Sequence, residues 1–127
     1  MRKKAVLLTM FLAGTAVLVQ GCIAAAAGAG AGTIAYIRGD METVQAKQLD
    51  AVYKAAEKAV EQLELKVTQK TKDAMTAKIV ARDAQDKKIT IKLAATAENI
   101  TKLSIRVGWF GSETKSRLIY QKILDNL

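Results

Sequence analysis

From Lys47 to Leu63 the apolar side chains fall at Leu49, Val52, Tyr53, Ala56, Ala59, Val60 and Leu63. Steps of three and one draw a single stripe, which predicts an amphipathic helix. Asp50 and Lys54 stand one turn apart on its polar side, in the order that favours an ion pair. Downstream the period falls to two. Met75, Ala77, Ile79 and Ala81 alternate with Thr76, Lys78, Val80 and Arg82; Ile89, Ile91 and Leu93 with Lys88, Thr90 and Lys92; Leu103, Ile105 and Val107 with Lys102, Ser104 and Arg106. Leu65–Thr71 repeats the pattern more weakly around Val67, and the polar segments Asp83–Lys87 and Thr96–Asn99 are short enough for hairpin loops. Four strands so connected predict an antiparallel meander with one dry and one wet face.

Upstream, Thr33–Val44 carries Ile34, Tyr36, Ile37, Met41 and Val44 around Gly39, and reads as one strand with a bulge at the glycine. At the other end Gly108-Trp109-Phe110-Gly111 breaks the last strand. Ser112 suits an N-cap, Glu113 a first turn, and Ile119, Tyr120, Ile123, Leu124 and Leu127 then follow helical spacing. The expectation is a two-layer α+β domain over residues 34–127, in the order β-α-β-β-β-β-α. Its meander sheet packs on both helices, because a domain this small needs both to close a core.

The first 33 residues follow neither period. Arg2, Lys3 and Lys4 precede an uncharged apolar run, Ala5–Val19, with the length of a signal-peptide core rather than of a membrane span. It ends in Leu18-Val19-Gln20-Gly21-Cys22, which resembles the bacterial lipobox. That resemblance implies a signal peptide over residues 1–21, cleavage after Gly21, a diacylglycerol on the Cys22 thiol and an acyl group, palmitate for instance, on the new amino terminus. The plainer alternatives are an ordinary signal peptide with a chance cysteine, or an uncleaved anchor. Cys22 is the chain's one cysteine, and it stands where the motif needs it. Several acyl chains anchor a protein without a transmembrane helix. Ile23, where Asp would signal inner-membrane retention, implies sorting to the outer membrane of a Gram-negative cell, with the domain facing the periplasm. Residues 22–33, with Gly28, Gly30 and Gly32 among alanines, read as a tether; they lack the Lys-Ser/Thr of a phosphate loop and the preceding strand of a dinucleotide fold. Small-residue packing between copies near the membrane is the other reading of this stretch.

Composition then removes chemistry. With no His and one Cys, the chain lacks the base of a Ser–His–Asp or Cys–His engine, the usual zinc donors and an internal disulfide. No cofactor is expected. Glu57 and Glu61 share a helix face with Lys54 and Lys58 and read as solvated surface; Ser104, Ser112 and Ser116 have no base beside them in the sequence. The formal charge is +8, and without Arg2, Lys3 and Lys4 it is 17 basic against 12 acidic residues, or +5. Beyond a secretion signal that excess points away from nucleic acid and toward anionic envelope lipid, glycan or protein. If the apolar alternation faces the helices, Lys66, Lys70, Lys72, Lys78, Arg82, Lys88, Lys92, Lys102 and Arg106 share the wet face, with Glu64 the acid counted near them. The plainer reading of that face is a solvated surface that resists sheet pairing.

Trp109 and Phe110, two of six aromatics, lie side by side between glycines, near Arg106 and a helix start. They read as a contact tip for protein or headgroups, or, for Phe110, as a plug at the end of the core. Lipobox, Ala/Gly tether, Tyr36-Ile37-Arg38-Gly39, Val52-Tyr53-Lys54-Ala55-Ala56 and Ile105-Arg106-Val107-Gly108-Trp109-Phe110-Gly111 together resemble a family of small Gram-negative lipoproteins known as a domain of unknown function. The resemblance implies an envelope lipoprotein and brings no activity with it. A looser likeness, in element order alone, is to helix-grip modules whose sheet wraps the last helix.

Two functional expectations follow: a non-enzymatic, lipid-anchored adaptor that binds through Trp109 and the tether, or a module for anionic lipid or glycan. The second would use Lys78, Arg82, Lys92, Lys102 and Arg106. For it, the pair Lys92→Glu and Arg106→Glu is expected to abolish binding with the fold intact.

Overall fold

The computed structural model describes residues 33–127; the expected signal peptide over residues 1–21 and the expected tether up to Gly32, with Gly21 and Cys22, lie outside the described residues. Eight elements follow: β1 (Ala35–Ile37), β2 (Asp40–Gln45), α1 (Leu49–Gln62), β3 (Lys66–Lys72), β4 (Thr76–Arg82), β5 (Lys88–Ala97), β6 (Ile100–Val107) and α2 (Glu113–Asp125). The expected α+β order is present, with the first strand folded back on itself. All six strands join one antiparallel sheet in the order β1-β2-β6-β5-β4-β3. The meander β3–β6 is thus extended by β2, which pairs with β6 from the far end of the sequence.

Gly39 does not bulge a single strand. Arg38 and Gly39 are the two central residues of a hairpin turn, with φ +52° and +87°. Positive φ at both positions is what a two-residue hairpin of matching twist requires, so the strand reverses there.

One face of the sheet is dry. Met41, Ile105, Ile91 and Ile79 are partners across four strands and all are buried. Thr43, Leu103, Leu93 and Ala77 form the next buried row. Both helices lie on this face. α1 contributes Leu49, Val52, Ala55, Ala56, Ala59 and Val60, and α2 contributes Ile119, Tyr120 and Ile123. Ser112 caps α2 as its sequence suggests, accepting from the Lys115 backbone N–H. Two polar groups cross the core under cover: Gln45 donates to the Tyr120 hydroxyl at 2.8 Å, and Thr101 to the Lys47 carbonyl at 2.8 Å. Burial without such partners would cost more than the bonds return.

The edges are polar or short. β3 is exposed throughout and carries three lysines, which discourages another strand from adding to it. β1, the opposite edge, has three residues.

Candidate functional site

The face away from the helices carries no covering element among the described residues. Its rows follow from the register: Glu42, Ser104, Lys92, Lys78 and Thr71 in one; Val44, Lys102, Ala94 and Thr76 in the next; Arg106, Thr90, Val80 and Gln69 on the other side. Lys66, Arg82 and Lys88 close it at one end. A shallow hollow of about 450 Å³ lies over the middle, lined by Lys78, Lys92, Lys102, Ser104, Thr71 and Thr76 among others. Lys78, Arg82, Lys92, Lys102 and Arg106 therefore do share one face.

Two of the nine basic residues placed there do not belong. β3 carries a bulge between Val67 and Gln69, and the extra residue, Thr68, sends its hydroxyl to the Val80 carbonyl. One inserted residue reverses every later side chain. Lys70 and Lys72 consequently point to the helix side, where they meet Glu57 at 3.8 Å and Asp50 of α1. The hydrogen bond from Lys72 holds the Asp50 carboxyl below the usual carboxylate range, with Lys54 at 3.7 Å adding to it.

The face is also less one-sided than its lysines suggest. Glu42 lies 3.2 Å from Lys102, and Asp40 lies 3.1 Å from Arg106. Both acids come from β2, whose pairing with β6 brings together residues about sixty apart. Arg82 reaches Asp86 at 3.7 Å. Lys78 and Lys92 differ: they are direct partners across the β4–β5 ladder, with no carboxylate partner among the described residues. Facing like charges are unfavourable; Arg82 also faces Lys66 and Lys88 but has Asp86, so among the described residues Lys78–Lys92 is the facing pair with neither member matched.

Arg106 has a further task. Its guanidinium donates to the Arg38 carbonyl at 2.9 Å, to the Asp40 carboxylate and to the Trp109 carbonyl. It thereby ties the β1–β2 turn to the loop between β6 and α2. Beneath it the two backbones touch: a Cβ on Gly111 would meet the Gly39 oxygen at 2.2 Å, and one on Gly39 would meet the Phe110 oxygen at 2.5 Å. Arg38-Gly39 and Gly108–Gly111 thus form one knot. Since Arg106 is its clamp, Arg106→Glu disturbs the loop as well as the charge. Lys92→Glu with Arg106→Glu, expected from the sequence to abolish anion binding with the fold intact, therefore would not leave the fold intact.

The knot presents Trp109 and Phe110 to solvent, 82% and 86% exposed. Phe110 does not plug the core; its ring is the most exposed large apolar side chain of the described residues. Trp109 borders a shallow hollow with Lys88, Thr90 and Arg106.

The remaining shifted carboxylates serve loops. Asp83 accepts from the Lys115 ammonium at 2.9 Å and from the Gln85 and Lys87 N–H groups; the Lys115 bond chiefly holds its carboxyl below the ordinary range. Asp73 is lowered by the Met75 and Thr76 N–H groups, which close the β3–β4 turn. Burial, then Glu57, raises the Tyr53 phenol.

Fold and surface define a two-layer α+β domain with a bare sheet face and a stiff aromatic tip. The family model described as DUF3568, protein of unknown function, matches residues 5–126, and the chain belongs to that family. No curated protein matches it.

Proposed function

We propose that the chain is a lipid-anchored, periplasm-facing envelope lipoprotein that acts as a non-enzymatic adaptor, attached to the outer membrane through Cys22 and holding other envelope components by surface contact. The observation that carries this reading is the pairing of a lipobox-like Leu18–Cys22 with a tip whose two aromatics are offered to solvent on a braced support. A domain that works by contact needs a presented surface and an address, and these residues supply both. The family match begins at residue 5, so it takes in the segment that holds Cys22. Cys22→Ser is expected to leave an unacylated, uncleaved precursor that no longer fractionates with the outer membrane. A serine variant with the mass and membrane location of the unaltered protein would overturn the anchor.

A second reading, a module for anionic lipid or glycan on the bare face, is supported by one observation: Lys78 and Lys92 face each other without acids, beside the Ser104 and Thr71 hydroxyls. Exposed charges act over about a Debye length, roughly 8 Å at physiological salt. Binding of acidic cell-wall fragments should therefore fall steeply with salt and disappear in Lys78→Glu with Lys92→Glu. Both side chains point away from the core and brace nothing, so the fold should hold. Salt-insensitive binding, or none at low salt, leaves the adaptor reading alone.

A further inference from the structure

Trp109 and Phe110 are the most exposed large apolar side chains of the described residues. Single exposed apolar residues are ordinary; two adjacent aromatics held out by a fixed support are not. The support is rigid for stated reasons: the Gly39–Gly111 backbone contact leaves no room for collapse, and Arg106 bonds the carbonyls of Arg38 and Trp109. The rim is basic. Arg38 sits in the turn that touches Phe110, and the Lys88 carbonyl accepts from the Gly108 N–H at 2.8 Å. Neither Arg38 nor Lys88 has a carboxylate partner among the described residues. Ile34 leads straight into β1, whose three residues end at the Arg38-Gly39 turn, so the entry point is roughly 10 Å from the tip at strand spacing. Eleven residues lie between Cys22 and Ile34, and the twelve steps from one to the other span at most about 40 Å.

We propose that the Trp109–Phe110 tip docks into the interfacial layer of an anionic lipid bilayer, with Arg38 and Lys88 meeting the headgroups. Indole rings favour that layer because one edge is apolar and the N–H finds a polar partner there. Basic side chains beside it are drawn to anionic lipid. The acyl anchor and the tip would then hold the domain at two points and fix its orientation, leaving the row Ser104, Lys92, Lys78 free for a partner. The proposal rests on the anchored-adaptor reading only for bringing the membrane near; insertion of the tip is measured apart from it.

Trp109 is the chain's one tryptophan, so its emission reports the tip alone. The acylated full chain is reconstituted in phosphatidylethanolamine/phosphatidylglycerol vesicles, some with acyl chains brominated near the headgroup. The expected result is a blue shift of emission and at least twofold quenching by bromine. Both should weaken with phosphatidylcholine in place of phosphatidylglycerol, and in Arg38→Glu with Lys88→Glu. Emission that stays at the water-exposed position and unquenched, in protein that floats with the vesicles, overturns the tip and keeps the anchor. Protein that fails to float, yet is quenched by excess vesicles, keeps the tip and counts against the anchor. A photo-crosslinker at position 110 that captures protein rather than lipid in cells assigns the tip to a protein contact and overturns the proposal.

Discussion

Gly111→Ala is expected to destabilise the domain by about 2–4 kcal/mol, while Gly108→Ala, three residues earlier in the same loop, costs about 1 kcal/mol. Both glycines have positive φ, +83° and +74°, so both substitutions carry the left-handed penalty of an L-residue. They differ in what the new methyl meets. At Gly108 nothing lies within 4 Å; at Gly111 the methyl would fall 2.2 Å from the Gly39 oxygen and 2.7 Å from its Cα. Those are backbone atoms and cannot rotate away. The turn and the loop must part, and Arg106 then exchanges its two exposed carbonyl partners for water, a net loss of about 1–2 kcal/mol in all beyond the left-handed penalty. Denaturant midpoints of the two variants check the difference, and Trp109 emission checks its place, since parting the knot moves the indole. Equal midpoints would show that the backbone contact does not brace the tip.

Periodicity made most of the fold legible. The stripe at Leu49, Val52, Ala56, Ala59 and Val60 and the alternations of β4, β5 and β6 are each a direct projection of burial onto sequence, and each is where the sequence places it. What escaped the sequence depends on geometry that leaves little compositional trace. The β1–β2 turn has Arg rather than Asn or Gly at its first central position, so alternation alone reads through it. The bulge at Thr68 has no glycine or proline to mark it, yet it moves Lys70 and Lys72 to the other face. Asp40 and Glu42 stand out in no sequence pattern, because their partners Arg106 and Lys102 become neighbours only once β2 joins β6.

The candidate site divides in the same way. Trp109 and Phe110 could be singled out because aromatic residues between glycines are unusual; their exposure depends on the Gly39–Gly111 contact, which no local pattern announces. Arg106 reads as one more outward cation in a strand, and only the tertiary structure gives it two carbonyls to hold. The signal that joined them was the resemblance itself. Its two most specific segments, Tyr36–Gly39 and Ile105–Gly111, are the two sides of the knot.

Ile105→Ala is expected to cost about 3–4 kcal/mol, as a fully buried isoleucine truncated in a packed core should. Ile105 sits on β6, between Met41 of β2 and Ile91 of β5, and the helices cover that row. Removing its outer carbons leaves a void walled by strands on both sides, where backbone pairing prevents collapse. A domain of this length has roughly 5–14 kcal/mol in all, so the loss is a large share. Ile100→Ala, at the start of the same strand but 40% exposed, should change stability by less than about 1 kcal/mol. Urea or guanidinium unfolding of the pair tests the contrast, and similar midpoints would mean that the Met41–Ile105–Ile91–Ile79 row is not the core. The effect should also reach the tip, because Arg106 is the next residue along. With β6 loosened at 105, the clamp on Arg38 and Trp109 loosens with it, and Trp109 emission should broaden well below the unfolding midpoint.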